Sequence, residues 1–341
     1  VSGRRKRRAP GPLALDGIQT YPLAERKSQV ALAAFGRAHR RGASAAELLD
    51  SLPRILGGAA LREVGFEVTR ARRLGKPILW GIGAHVLKVG LSPLLIDLMR
   101  RGFVTGLAMN GAGIVHDFEL AVAGQTSEDV AAGLGEGAFG MARETGEDVN
   151  RAIVEGDRDG LGIGAALGRH LVERRAPHVQ TSLLATAWRL GLPATVHVAL
   201  GTDIVHMHPA CDPAAVGRAS HLDFRTLAAH VARLGGGGVY LNVGSAVLLP
   251  EVFLKCVTLA RNLGHRLADF TTVNLDFIQS YRPNTNVVSR PTRGVGRGFS
   301  LTGHHEILIP LLAAALIEGV WRGPRPAASR AAARRRTRRG A

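Results

Sequence analysis

Six short apolar segments recur along the chain at residues 77–82, 104–109, 194–200, 238–243, 270–274 and 299–301. Residues 77–82 among them read as a buried strand. Each runs toward Gly, Asn, Asp or Thr and then into a helical pattern. Apolar Leu61, Val64 and Val68 recur at helical spacing. Similar patterns predict helices over 44–52, 59–74, 92–101, 221–234, 250–263 and 305–318, with Pro93 in a first turn, where its missing N–H costs nothing. Strands alternating with helices demand right-handed crossovers and a parallel sheet. The expectation is a doubly wound, Rossmann-like α/β fold with helices on both faces. Residues 126–190 read as a helical insertion over the sheet, within one domain spanning 21–321. Residues 1–20 and 322–341 read as disordered basic tails.

Four of the strand ends carry polar signatures: Gly83-Ala84-His85, Asn110-Gly111-Ala112-Gly113, Asn242-Val243-Gly244-Ser245 and Thr302-Gly303-His304-His305-Glu306. A Gly-rich turn at a helix N-terminus presents unpaired N–H groups to an anion. Several such turns on one parallel sheet line its carboxyl edge, where open α/β folds bind ligands. These turns are therefore candidate cofactor contacts, with Lys88 one turn beyond the first. Asp117 could hold a ribose hydroxyl or cap a helix. Asn274 and Asp276 end a strand nearby, and Asp276 is placed as a ribose ligand by position. Arg282-Pro283-Asn284 lies in a polar loop suited to an acidic or amide substrate, and Lys255 reads as a solvated mid-helix lysine.

The histidines suggest further chemistry. Asp203, His206 and His208 follow a strand, and in an extended stretch the two histidines share a face. His304, His305 and Glu306 open the last helix, whose dipole favours a neutral histidine base. If the two strand ends meet, these groups could ligate a metal ion and serve a hydrolase or lyase.

The formal net charge of +17 first suggests nucleic acid. Five of those charges lie at Arg4, Arg5, Lys6, Arg7 and Arg8, and eight more are arginines from Arg322 onward. Without these thirteen, residues 9–321 carry only +4. Binding of RNA or the ribosome through the tails stays open as a salt-sensitive alternative. Cys211 and Cys256 are distant and form no CxxC, which argues against a disulfide framework or zinc ribbon. The longest uncharged apolar run, 307–317, is shorter than the ~20 residues a membrane span needs. With no signal-peptide core at the N-terminus, a cytoplasmic location is expected.

The motifs together resemble the deoxyhypusine synthase family over about residues 76–320. Ile78-Leu79-Trp80-Gly81 with Gly83-Ala84-His85 and Gly90 resembles its first strand and loop. Asn110-Gly111-Ala112-Gly113-Ile114-Val115-His116-Asp117 resembles its Thr-Ala-Gly-Gly-Val-Glu-Glu-Asp stretch. Val198-Ala199-Leu200-Gly201-Thr202-Asp203 is similar to its Ala-Leu-Thr-Asp strand end. Residues 238–245 resemble its glycine-rich strand, and Ile307-Leu308-Ile309-Pro310-Leu311-Leu312 is similar to its final helix. The resemblance implies an NAD-binding homotetramer acting on a small polar, amine-containing substrate such as a polyamine.

The departures matter as much. That family's catalytic lysine lies in a Trp-Gly-Lys segment before the final helix, and residues 281–306 here contain neither Lys nor Trp. Arginine stays protonated and cannot form the imine. The family's paired histidines correspond roughly to Leu249 and Pro250, and its acidic amine-binding loop to Ile278-Gln279-Ser280. The expectation is a deoxyhypusine synthase-like enzyme that keeps NAD but does not make deoxyhypusine. Its reaction would be an NAD-assisted oxidation or transfer, with His304 or His305 as proton acceptor and Asp203 or Glu306 orienting the substrate.

Overall fold

A computed structural model describes residues 11–321; the Arg-rich segments 1–10 and 322–341 lie outside the described residues. Residues 11–40 carry two short 3-10 turns and bury no side chain. The chain then enters α1 (Ala45–Ser51). Here the Ser44 hydroxyl accepts from the Glu47 N–H while the Glu47 carboxylate accepts from the Ser44 N–H, a reciprocal cap. In α2 (Leu56–Arg73), Leu61, Val64 and Val68 turn inward together, as their spacing predicts.

The remaining elements alternate. They are β1 (Ile78–Ile82), α3 (His85–Lys88), α4 (Ser92–Arg100), β2 (Gly106–Asn110), α5 (Gly111–Ala123), α6 (Val130–Leu134), α7 (Arg143–Arg158), α8 (Ile163–Glu173), α9 (Leu183–Leu190), β3 (Ala194–His197), α10 (Pro213–Val231), β4 (Val239–Val243), α11 (Leu248–Asn262), β5 (Thr271–Asp276), α12 (Tyr281–Pro283), β6 (Arg297–Thr302) and α13 (His305–Glu318). The six strands pair in parallel in the order β3-β2-β1-β4-β5-β6. This is the doubly wound, Rossmann-like α/β fold.

Alternate strand residues feed two cores. Ile78, Trp80 and Ile82 join Leu241 and Val273 on one face, packed with α2, α4, α5 and α13. Leu79 and Tyr240 join Leu227, Phe253 and Val257 of α10 and α11 on the other. Both faces are thus covered, which is why the strands read as unbroken apolar runs. Helices α6 to α9 form the connection to β3, with α8 and α9 packed against that edge strand.

Two boundaries differ from expectation for identifiable reasons. α10 starts at Pro213, well before residue 221, because Asp212 accepts from the Ala214 and Ala215 N–H groups and Pro213 fits the first turn. A π-helix at Asn284–Ser289 occupies the polar stretch after β5 where only a loop is expected.

Two buried carboxylates pin the connection to the sheet. Asp117 on α5 accepts from the Ser182 hydroxyl and the Leu183 and Leu184 N–H groups, closing the N-terminus of α9. Asp223 on α10 accepts from the Gly164 N–H of α8 and the Val196 N–H of β3. Burial pushes Asp117 up to about 6 and Asp223 up to about 7, against the backbone donors that hold them down. An acid whose folded pKa exceeds its unfolded value lends stability at low pH and loses it as pH rises between the two. Relative to Asp223→Asn, the wild type should therefore lose stability from about pH 4 to about pH 7, at up to ~1.4 kcal/mol per pH unit. Urea denaturation at the two ends of that window measures this. A constant difference would show that Asp223 is ionised throughout.

Candidate functional site

The strand order reverses between β1 and β4, and this is where doubly wound sheets open a crevice at their carboxyl ends. The backbones there are in close approach. The Gly83 N–H donates to Val243 O at 2.8 Å, and a Cβ on Gly83 would lie 2.1 Å from Gly244 O. Gly244 has φ +69°, and a Cβ there would lie 2.7 Å from the His305 ring. Glycine is therefore required at both positions. Ala84 leads directly into α3, which is a single turn. Ser245 is buried and its hydroxyl accepts from the Leu249 N–H, so its oxygen already serves α11.

One residue pair crosses from β4 to β5 in register. Asn242 Nδ2 donates to Asn274 Oδ1 and to Ser245 O, both at 2.9 Å, and Asn274 Nδ2 donates to Gln279 Oε1 at 2.8 Å. Asn242 Oδ1 is buried with no partner. A fully buried amide carbonyl left unpaired costs stability unless something else requires it.

The N-terminus of α13 closes this side of the crevice. His305 is 1% exposed, with Nε2 3.3 Å from Leu275 O and 3.7 Å from Asp276 Oδ1. A carbonyl oxygen accepts only, so Nε2 must carry the proton and Nδ1 is left as an acceptor. That Nδ1 is buried and has no partner. Burial holds His305 below the usual histidine range, against the pull of Asp276. His85 packs 5.3 Å from the His305 ring and 5.9 Å from Phe277, and Phe277 stacks on His304 at 5.7 Å. The His304 ring lies 3.7 Å from Glu306. Gly83, His85, Gly244, Asn274, Asp276, His304, His305 and Glu306 are thus neighbours around one edge. Phe277 and Gln279 complete the group. The signal for Phe277 was an exposed aromatic directly after a strand-end aspartate.

The turn after β2 is built differently from expectation. Asn110 Oδ1 accepts from the Gly113 N–H at 3.1 Å, and Asp203 accepts from the Ala112 N–H. A Cβ on Gly111 would lie 2.0 Å from Asp203 Oδ2. The donors at the start of α5 that were expected to be open to a ligand are thus engaged by the protein's own side chains. Asp117 likewise spends both carboxylate oxygens on α9 and Ser182, which is the capping role and not a ribose contact.

The two histidine groups do not meet. His206 lies in a 3-10 helix, Ile204–Met207, and not in an extended stretch. Its Nδ1 accepts from the Gly201 N–H, 4.0 Å from Asp203, while His208 packs on Gly146 of α7. They therefore share no face. They follow β3, at one edge of the sheet, whereas His304 and His305 follow β6 at the other. Among the described residues no three metal-ligating side chains come together. Asp203 sits at the end of β2 and His305 at the ends of β4 and β5. These are two to three strand spacings apart, ~10–14 Å. The α13 N-terminus faces His85 and Phe277 and not the Asp203 loop, so Asp203 and His305 cannot hold one small group between them.

A cavity of about 210 Å³ opens on the Asp203 side of α3. Lys88, His116, Glu119, Glu128 and Asp203 line it, with Phe139 and Ile204 among its apolar walls. His116 Nδ1 lies 2.7 Å from the Thr126 hydroxyl, which donates to Glu119, and Thr145 donates to the other Glu119 oxygen at 3.1 Å. Asp203 is 7% exposed, and its Oδ2 has no hydrogen-bond partner. Burial pushes its carboxyl above the usual range, against His206. His116 lies within the Asn110–Asp117 stretch, whereas Glu119 and Glu128 carry no motif that sequence reading could single out. Lys255 pairs with Glu251 on the surface of α11, and Arg282 lies 3.4 Å from the same Glu251.

No protein-family model and no curated protein matches the chain. Solved structures do. AgrE, solved in ternary complex with ornithine and NAD+, superposes with a TM-score of 0.51 at 15% identity, covering 76% of this chain and 33% of AgrE. A protein assigned as LOR/SDH from Methanococcus maripaludis S2 gives 0.50 at 13% identity, covering 77% and 70%. One assigned as a deoxyhypusine synthase from Entamoeba histolytica gives 0.47 at 12% identity, covering 84% and 98%. This chain spans about a third of the AgrE chain it matches. What the first two likenesses establish is the fold alone, which in this chain is built on a six-stranded parallel Rossmann-like sheet.

Proposed function

We propose that this protein is an enzyme that binds NAD across the carboxyl edge of β1, β4 and β5 and acts on a small polar, amine-containing substrate. The observation that carries the reading is the β1–β4 switch point. There Gly83 and Gly244 let the ends of β1 and β4 and the His305 ring approach closely, and two buried acceptors, Asn242 Oδ1 and His305 Nδ1, lack partners beside them. A dinucleotide on this edge would lie over the Gly83 and Gly244 turns, whose own N–H groups go to Val243 O and Leu275 O, and Asp276 would meet a ribose hydroxyl. The fold is shared with AgrE, whose complex contains NAD+. NAD, when bound, supplies a hydride acceptor. The protein's own part is then proton removal, for which His305 Nδ1 is a neutral, unpaired base with Nε2 fixed by Leu275 O and Asp276.

The test is a thermal shift with NAD in the full chain. A binder of ~10 μM affinity gains ~2.7 kcal/mol at ~1 mM ligand. No stabilisation at that concentration would end the cofactor reading. Imine chemistry on a lysine stays outside the proposal. Borohydride with spermidine and NAD should leave no adduct, and an adduct on Lys88 or Lys255 would reverse that exclusion. The third reading, RNA or ribosome binding through the tails, concerns residues outside those described. It predicts that removing 1–12 and 323–341 abolishes RNA binding and its salt dependence.

A further inference from the structure

The net charge of the chain is gathered at its two ends. Residues 1–41 hold ten Lys or Arg against Asp16 and Glu25, and residues 322–341 hold eight Arg and no acid. Of the net charge of +17, these stretches carry +16 and residues 42–321 carry +1. An arginine excess spread evenly through the chain would not leave the body balanced in this way. The N-terminal stretch also carries Leu13, Leu15, Ile18, Leu23, Leu32 and Phe35, each more than half exposed. Single apolar residues on a surface need no explanation, but six along one arm that buries none of them do.

The fold brings the two ends to one corner. The root of the arm is fixed where the Arg37 N–H donates to Ser51 O, the Arg54 N–H donates to Ala34 O and Arg37 pairs with Asp50. Asp50 also pairs with Arg62. The Arg62 guanidinium donates to Leu49 O, Asp50 O and Leu52 O and lies 5.7 Å from the centre of the Trp321 ring. Trp321, the last described residue, packs on Gly65 of α2, and Arg37 and Val320 line one cavity. The eight C-terminal arginines therefore follow directly on a residue that packs beside the root of the arm.

We propose that this corner docks on the surface of an anionic lipid bilayer. The aliphatic side chains of residues 13–32 would enter among the headgroups, and the Arg and Lys side chains of both ends would meet lipid phosphates. The contact is with the surface and is not a span: among the described residues no helix is long and apolar enough to cross a membrane. Nucleic acid would use the charge but not the aliphatic side chains, and residues 322–341 contain no aromatic ring for a base to stack on. A second copy of the chain would use the aliphatic side chains but would set +16 against +16. An anionic surface with an apolar interior takes both. The inference goes beyond the NAD reading and does not depend on it.

The experiment is flotation of the full-length protein with vesicles of phosphatidylcholine alone and of phosphatidylcholine with ~30% phosphatidylglycerol, which gives a negative surface potential. The mixed vesicles should bind the protein, and phosphatidylcholine should bind it at least ~100-fold more weakly, since each basic side chain near an anionic leaflet is worth about fivefold. Raising salt from ~0.1 M to ~1 M should weaken binding to the mixed vesicles at least ~10-fold, as the screening length shortens from ~10 to ~3 Å. The combined variant Leu15→Ser, Ile18→Ser, Leu23→Ser and Leu32→Ser should weaken it ~100-fold, a fraction of what full withdrawal of four aliphatic side chains from water would give. None of the four is buried, so the variant should keep the wild-type melting temperature. Equal binding to both kinds of vesicle, no binding to either, or a fourfold variant that binds as the wild type does would overturn the assignment. Single-stranded RNA bound more tightly than the mixed vesicles, and equally by the variant, would give the surface to nucleic acid. A fall in the molar mass of the protein in solution on the four substitutions would give it to a second copy. Either result overturns the lipid assignment.

Discussion

If the protein carries out the NAD-linked oxidation proposed above, His305→Gln should lower its kcat by ~10²–10⁴-fold, the range for loss of a positioned general base. That is ~3–5 kcal/mol of transition-state stabilisation. The expectation follows from the geometry of one ring. Leu275 O and Asp276 fix the proton on Nε2, and the free Nδ1 sits beside Gly244 with nothing to accept from. Glutamine preserves a side chain of similar reach, and NAD affinity should stay within a few-fold of wild type. Because burial holds His305 below the usual histidine range, the base is neutral at pH 7. The acid limb of the wild-type rate profile should fall at lower pH than an ordinary histidine would give. Asp276→Asn removes the group that favours the charged form and should move that limb lower still. A kcat loss under tenfold, with NAD still bound, would remove His305 from the chemistry.

Asp117→Ala should destabilise the protein by ~3–5 kcal/mol while leaving NAD affinity unchanged. The carboxylate is fully buried and takes three donors, two of them the first N–H groups of α9. Truncation leaves these donors without partners in a dry site, and each orphaned donor costs on the order of 1–3 kcal/mol. Asp117→Asn keeps one acceptor oxygen and should lose roughly half as much. Urea denaturation reads the first effect and calorimetry with NAD the second. Loss of NAD affinity in a variant that keeps its stability would restore Asp117 as a ribose ligand.

Much of the fold was legible because both faces of the sheet are covered. Strands such as Ile78–Ile82 then announce themselves as continuous apolar runs, and helix α13 (His305–Glu318) as an apolar run between acidic residues. What the runs could not reveal was their lateral order. Strand β6, with Arg297, Ser300 and Thr302, is more polar and exposed than the rest, as an edge is, but nothing in residues 194–200 marks the opposite edge. That is why Asp203, His206 and His208 could be imagined beside His304 and His305. The grouping of Gly83, Gly244, Asp276 and His305 was legible because each stands at a strand end or a helix start on one sheet edge. The site was not legible where distant residues fill a motif, as Asp203 does at Gly111 and Asp117 does at Ser182.

The occupied start of α5 makes the sheet edge electrically lopsided. On the β2 side, Asp203 lies against the helix end and Glu119 and Glu128 stand nearby, so an approaching phosphate meets fixed negative charge. On the β4–β5 side, α13 opens with no side-chain cap, and its dipole faces Glu306 in its own first turn and Asp276 at the end of β5. The crevice therefore has one helix start occupied by a distant carboxylate, at β2, and one left without a side-chain cap, beside β5. The single turn of α3, with His85 on one flank and Lys88 on the other, is the divide between them.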